Sequence, residues 1–106
     1  MPVQTLEHTQ NLAEVGFEAQ FVAVCPVTDV PFVGRATVVY TPSRLLLEFT
    51  SVENWLKEPQ VGTVEDVAAR VFDALMAVAK PLRLRVKAEA VAVVHGPAYA
   101  VKDSRG

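Results

Sequence analysis

One amphipathic stretch, residues 63–79, constrains the fold of this chain more than any other feature of the sequence. Its apolar side chains recur at the spacing of a single helical face: Val64, Val67, Ala68, Val71, Phe72, Leu75, Val78 and Ala79. Thr63 is placed to cap this helix, Glu65 and Asp66 lie in its first turn, and Pro81 ends it. Because only one face is apolar, the helix has to pack on another layer of structure.

The segments on either side of the helix alternate as strands and can supply that layer. Residues 16–25 place Phe17, Phe21 and Cys25 on one face, and residues 33–41 follow after a Pro-containing turn. Residues 82–92 alternate apolar with charged side chains, and residues 98–102 return after the turn His95-Gly96-Pro97.

Between the first two strands and the long helix, residues 45–49 form a short extended piece, and residues 51–57 form a brief helix that Pro59 ends. This order predicts an α+β fold, an antiparallel sheet of two hairpins with two helices packed on one face. Residues 1–15 are expected to form an N-terminal arm or short edge segment, residues 16–102 the single domain, and residues 103–106 a frayed tail.

Length and charge exclude several classes of protein. The 106 residues suit one domain, and the net charge of −2 comes without a basic run, which argues against a dedicated DNA-binding module. RNA held by an assembled oligomer stays compatible with this charge. No apolar stretch is long enough to cross a bilayer, and the N-terminal segment does not resemble a signal peptide. With a single cysteine no internal disulfide is possible, so we expect a cytoplasmic protein.

Three side chains are candidates for chemistry, and each also has a structural interpretation. Cys25 ends a strand beside a Pro turn and is either a stabilised thiolate or a packing cysteine, and the pattern alone favours packing. Glu65 either complements the helix dipole or accepts N–H bonds from a heterocycle. Trp55 is either a stacking wall or part of the core, and core is favoured. No paired-Cys or His/Cys spacing occurs, so no metal is expected.

The segment Cys25-Pro26-Val27-Thr28, with Pro31 and then Tyr40-Thr41-Pro42 downstream, resembles the QueF-type 7-cyano-7-deazaguanine reductases of queuosine biosynthesis. The resemblance covers roughly residues 16–100. It implies the tunnelling fold shared with GTP cyclohydrolase I, a homo-oligomeric ring of subunits, and active sites at the subunit interfaces. It also implies that Cys25 attacks the substrate nitrile to form a covalent thioimide, and that Glu65 holds the deazaguanine ring.

The sequence departs from the family's pattern on the side of the reductant. Where the family has an aspartate seven residues after the cysteine, this chain has Phe32, and Asp29 is a nearby substitute that is out of register. In the family's cofactor motif Glu48, Ser51 and Trp55 match, as does Val52. Both motif lysines are absent, and one of them is replaced by Glu53, which would repel the phosphates of NADPH.

Several functions therefore remain open at this stage. The resemblance nominally implies a nitrile reductase that uses NADPH. The lost lysines suit instead an amidinotransferase that adds ammonia to a nitrile carried on tRNA, as archaeal relatives do. A third possibility is a binding protein for a purine or pterin that has lost turnover, and a fourth is a structural subunit in which Cys25 only packs.

Overall fold

The computed structural model describes residues 2–92 and 98–105, and the predicted turn at residues 95–97 lies outside this part of the chain. Seven strands and two helices follow one another along the described residues, in the order β1 Thr5–Glu7, β2 Val15–Val24, β3 Pro31–Thr41, β4 Leu45–Leu47, α1 Phe49–Lys57, β5 Gln60–Val61, α2 Val64–Ala79, β6 Arg83–Ala92 and β7 Tyr99–Asp103. None of the described helices is long and apolar enough to cross a lipid bilayer.

The main sheet has five strands in the order β5-β2-β3-β6-β7. The pairs β2–β3, β3–β6 and β6–β7 are antiparallel, which confirms the two predicted hairpins, whereas β5 pairs with β2 in parallel. Helix α1 packs on β2, and α2 packs on β6 and β7, so both helices cover the same face of the sheet. The predicted α+β class and its layer order are confirmed.

Helix α2 forms where the sequence predicts it because both of its ends are satisfied locally. The amide of Asp66 donates to Thr63 Oγ1 at 3.3 Å and the amide of Thr63 donates to Asp66 Oδ2 at 3.0 Å, a reciprocal capping box. These bonds lower the pKa of the Asp66 carboxyl group, the amide of Thr63 being the main cause. At the other end Lys80 adopts a left-handed conformation, and Pro81 prevents continuation.

Both terminal segments make backbone hydrogen bonds with other parts of the chain. Within residues 1–15, strand β1 pairs with β4 in a separate two-stranded sheet, and Val3 is buried in the core. At the other end, Ser104 exchanges two hydrogen bonds with Leu84, its amide donating at 2.8 Å and its hydroxyl accepting at 3.0 Å. Strand β7 thus ends at Asp103, one residue past the domain boundary that the sequence predicts.

Gly34 on β3 lies opposite Phe21 on β2, and the ring of Phe21 occupies the space that a Cβ at residue 34 would need. We predict that Gly34→Ala lowers the free energy of unfolding by about 1–3 kcal/mol, since overpacking forces the ring off its position. Urea unfolding measures the change. Gly16→Ala is the matched control, because a Cβ there meets its nearest atom at 3.4 Å, an ordinary contact. Equal costs for the two variants would contradict the prediction.

Candidate active site

Cys25 is the first residue after β2 and begins a closed loop that leads into β3. Its amide donates to the carbonyl of Val30 at 3.2 Å, and its carbonyl accepts from the amide of Asp29 at 2.8 Å. Asp29 closes the loop with a left-handed φ of 61°, a conformation that aspartate tolerates better than most residues. The thiol is half-buried and packs against the core at the end of the sheet.

The loop that follows Cys25 lowers the pKa of its thiol. The backbone amide of Thr28, the hydroxyl of Thr28 and the backbone amide of Val27 lower the pKa of the Cys25 thiol, and desolvation opposes them more weakly. Donors directed at sulfur stabilise the thiolate, which is the nucleophilic form. The cysteine therefore has the electrostatic surroundings of a reactive thiol.

The start of α2 lies beside the Cys25 loop because β5 is paired to the end of β2. Ala23 and Val24 are aligned with Gln60 and Val61, and the amide of Gly62 donates to the carbonyl of Val24 at 3.1 Å. Gly62 has a φ of +146°, and a side chain there would collide with Asp66, so glycine is required at this position. This geometry brings the first turn of α2 to the same end of the sheet as Cys25.

Glu65, in that first turn, is exposed, while its neighbour Asp66 does the capping. Among the residues that the structure describes, the Glu65 carboxylate takes part in no ion pair. Its charge lies at the positive end of the helix dipole, an arrangement that stabilises the helix. Glu65 thus lies in the first turn of α2, at the end of the sheet where Cys25 lies.

The position of the family's aspartate is apolar in the structure. Phe32 is buried, pairs with Ala23 across the strands, and contacts Phe21 edge to face with ring centroids 6.1 Å apart. Asp29 is exposed and lies in the same loop as Cys25, so this loop carries both a carboxylate and the thiol.

The other three predicted site residues lie elsewhere. Glu48 caps α1, its two carboxylate oxygens accepting from the amides of Thr50 at 2.7 Å and Ser51 at 3.1 Å. The hydroxyl of Ser51 donates to the carbonyl of Glu48 at 2.7 Å and accepts from the amide of Gln4 at 2.9 Å. Trp55 is partly buried against the core, as the sequence favoured.

Glu48, Ser51 and Trp55 nevertheless share a surface groove of about 280 Å³. Its other lining residues are Pro2, Gln4, Asn54 and Glu58. Phe49, at the start of α1, contacts Phe17 with ring centroids 5.1 Å apart, near the beginning of β2. Because Cys25 follows the far end of that strand, roughly 25 Å away at about 3.3 Å per residue, the start of α1, with Glu48 and Ser51, is distant from the thiol.

Tyr40, in the segment that carries the resemblance, has a structural role. Its buried hydroxyl accepts from the amide of Leu47 at 3.0 Å and so ties β4 to the main sheet. As for metals, residues 2–92 and 98–105 hold no group of three or more His, Cys, Asp and Glu side chains placed to share an ion.

Sequence reasoning missed two parts of this site. In the sequence Thr28 stood out only as part of the segment Cys25-Pro26-Val27-Thr28. Its position three residues after the cysteine is the signal that was missed, because a turn of that length can bring its amide back toward the sulfur. Arg70 donates to Gln60 and to the carbonyl of Val61, which holds β5 beside β2. Nothing local in the sequence indicates that contact.

We predict that Thr28→Val raises the pKa of the Cys25 thiol, because the hydroxyl that donates to the sulfur is lost. Alkylation by iodoacetamide should then be slower at neutral pH, and its rate should approach that of the unaltered protein once both thiols are ionised. The rate profile against pH measures the midpoint. Thr28→Ser, which keeps the hydroxyl, should restore it, and an unchanged midpoint in Thr28→Val would show that the hydroxyl does not stabilise the thiolate.

The comparisons with known proteins agree with one another. No protein-family model matches the chain. The NADPH-dependent 7-cyano-7-deazaguanine reductase of Chlorobium luteolum is 33% identical over 72 residues, which cover 66% of this chain and 62% of that protein. The reductase of the same name from Elusimicrobium minutum is 36% identical over 64 residues, 58% of this chain and 48% of that protein. The chain therefore spans less than two thirds of the length of these relatives.

Among solved structures, the archaeosine synthase QueF-Like in its apo form superimposes with a TM-score of 0.81. The superposition covers 92% of this chain and 98% of that one, at 16% sequence identity. This similarity establishes the fold, and it extends over strands and helices that the curated relatives match only in part.

Proposed function

Because the chain is a divergent member of the QueF-like family, homologous to the 7-cyano-7-deazaguanine reductases, we propose that it acts on the nitrile of a 7-cyano-7-deazaguanine through Cys25. The observation that supports the proposal is the pairing of β5 with β2, which brings the first turn of α2, with Glu65, to the end of the sheet where the Cys25 thiol has a lowered pKa. The substrate is either the free base or the same group carried on tRNA.

In this proposal Glu65 binds the substrate. A deazaguanine ring presents adjacent N–H donors along one edge, and a carboxylate can accept two of them at once through charge-assisted hydrogen bonds. Since Asp66 already caps α2, Glu65 can be used for recognition without loss of the helix terminus.

Cys25 carries out the covalent step. Its thiolate attacks the nitrile carbon, a C–S bond forms, one C–N π bond breaks, and the nitrogen takes up a proton to give a thioimide. We propose Asp29, in the same loop, as the group that delivers this proton, because Phe32 cannot.

The motif residues of this chain do not fit a nicotinamide cofactor. Both carboxylate oxygens of Glu48 are used to cap α1, and the hydroxyl of Ser51 both donates and accepts within the chain. Glu58 adds negative charge to the groove, and Glu53 on the same helix stands where the motif has a lysine. We therefore route no step through NADPH. Ammonia addition needs none: ammonia attacks the thioimide carbon and forms a C–N bond, the C–S bond breaks, and the proton that the ammonia nitrogen gives up passes to the departing thiolate, which leaves an amidine as the product.

A second candidate is a purine- or pterin-binding protein that lacks turnover. The observation that favours it is Phe32, whose ring is part of the core exactly where the family's acid would be needed. Such a protein would bind the heterocycle through Glu65 and release it unchanged.

We also propose that the protein works as a homo-oligomer in the cytoplasm. The two-residue strand β5 covers only the end of β2, and β7 forms the opposite edge with Tyr99 68% exposed, so both edges are open to pairing with other subunits. A reducing compartment keeps a lone thiol active. Light scattering at micromolar concentration should give a multiple of the chain mass, and a monomer would contradict the assembly.

The experiment that tests the proposed function is product analysis by mass spectrometry. The protein is incubated with 7-cyano-7-deazaguanine, or with tRNA that carries it, in the presence of ammonium, of NADPH, or of neither. We expect an amidine that depends on ammonium. An amine that depends on NADPH would identify a reductase despite the missing lysines, whereas binding without any product would support the second candidate.

A further inference from the structure

The short strand β5 is held in place by a side chain from α2. Arg70 donates from Nη1 to the side-chain oxygen of Gln60 at 2.8 Å and from Nη2 to the carbonyl of Val61 at 2.8 Å. Two donors of one planar guanidinium group thus engage two consecutive residues, and these residues are the whole of β5. This is the fork geometry that arginine supplies and lysine does not.

Gln60 extends this contact into the core. It is 7% exposed, and within the part of the chain that the structure describes it is the one buried polar residue. Its Nε2 donates to the carbonyl of Glu58 at 2.9 Å while its Oε1 accepts from Arg70, so both ends of the amide are satisfied. Removing Arg70 would leave a buried acceptor without a partner, which costs more than the bond itself contributes.

Such a contact is needed because β5 has little else to hold it. Its parallel pairing with β2 involves only two aligned residue pairs, followed by the single bond from the Gly62 amide to the Val24 carbonyl. Directly after that bond the chain enters α2 at Thr63 and reaches Glu65. The place of the Glu65 carboxylate relative to the thiol of Cys25 therefore depends on how firmly β5 is docked.

We infer that Arg70 is a positioning residue, which fixes the gap between Cys25 and Glu65 by holding β5 against β2. Arg70 does not touch the reacting atoms, and its two acceptors belong to Gln60 and Val61. The inference rests on the proposed function, in which a ring bound by Glu65 must present its nitrile to the sulfur of Cys25. A misplaced Glu65 would weaken productive capture and leave the chemistry of the thiol unchanged.

The test compares Arg70→Ala, Arg70→Lys and a control, Arg44→Ala. Arg44 is exposed and its guanidinium is in no ion pair within residues 2–92 and 98–105. Three quantities are measured: the exchange rate of the Gly62 amide hydrogen, the rate of Cys25 alkylation by iodoacetamide, and the concentration of 7-cyano-7-deazaguanine that gives half-maximal covalent capture.

For Arg70→Ala we expect the Gly62 amide to exchange about tenfold faster or more, and the half-saturating concentration to rise by a similar factor. The alkylation rate should stay within about twofold, because the donors of the Cys25 loop are untouched. Arg70→Lys, which keeps the charge and can make one of the two bonds, should lie between. If Arg70→Ala does not fold, Arg70→Lys provides the test in its place. Arg44→Ala should match the unaltered protein.

Unchanged exchange and capture in Arg70→Ala would overturn the inference. So would a loss of capture that comes with faster exchange throughout β6, since that would mark general destabilisation instead of positioning. If the unaltered protein captures no nitrile, the proposed function has failed, and Gly62 exchange alone then decides whether Arg70 holds β5.

Discussion

Cys25→Ala is expected to abolish conversion of the nitrile while leaving the binding of the heterocycle within a few fold. Cys25 is the one cysteine of the chain, so no second thiol can form a thioimide in its place. Removing a covalent nucleophile typically lowers turnover by a factor on the order of 10³ or more. Product formation measures the first quantity, and equilibrium titration with 7-cyano-7-deazaguanine measures the second.

Cys25→Ser is the control for this variant, because it keeps the shape of the side chain and replaces the sulfur with a poorer nucleophile. It should be as inactive as Cys25→Ala. Turnover retained in either variant would remove Cys25 from the mechanism, and loss of binding in both would mean that the residue shapes the site instead of reacting.

Glu65→Gln is expected to weaken binding of the heterocycle and to leave the reactivity of the Cys25 thiol unchanged. A carboxylate that accepts two N–H bonds loses one acceptor and its charge on becoming an amide, and a bond to a charged group contributes about 1.5–3 kcal/mol. Binding of the nitrile should therefore weaken by about 10- to 100-fold. The alkylation rate of Cys25 should not change, since none of the donors to its sulfur comes from α2.

Asp73→Asn is the matched control for Glu65→Gln. Asp73 is another exposed carboxylate on the same helix, bonded at 2.8 Å to Lys102 of β7, the strand at the opposite edge of the sheet from β5. It should leave binding unchanged. If both variants weaken binding equally, the effect comes from the charge of the helix, and Glu65 does not contact the ring.

The main elements of the fold could be predicted because their signals are local. Thr63, Asp66 and Pro81 mark the ends of α2 through bonds that the helix makes with itself, and the period of two in β2 and β6 records which side chains the helices cover. The order of those elements along the chain was then enough to predict how the helices and the sheet are layered.

Strand β4 falls in the extended piece predicted at residues 45–49 and β1 in the arm or edge segment predicted at residues 1–15, but their pairing with each other, and the whole of β5, could not be predicted in the same way. Each is two or three residues long, too short for a periodicity, and each exists because a partner elsewhere in the chain accepts its backbone bonds. The parallel pairing of β5 depends on Arg70, ten residues after Gln60, and a single exposed arginine carries no signal of that contact.

The candidate site also has one part that could be predicted from the sequence and another that could not. Cys25 and Asp29 share a loop, so their proximity follows from the sequence itself. The approach of Glu65 follows only from β5. Glu48 and Ser51 were assigned to the site because they match the family's cofactor motif, whereas their polar atoms are used at the start of α1. A motif match specifies residue types. It does not show which of those side chains are already used in hydrogen bonds with the neighbouring backbone.

The most direct test of covalent capture is the intact mass of the protein after incubation with 7-cyano-7-deazaguanine, with Cys25→Ala measured in parallel. We predict a gain equal to the mass of the nitrile, one per chain, that is absent from Cys25→Ala. No gain with the free base and none with nitrile-bearing tRNA, in a protein whose Cys25 is still alkylated by iodoacetamide, would contradict thioimide formation.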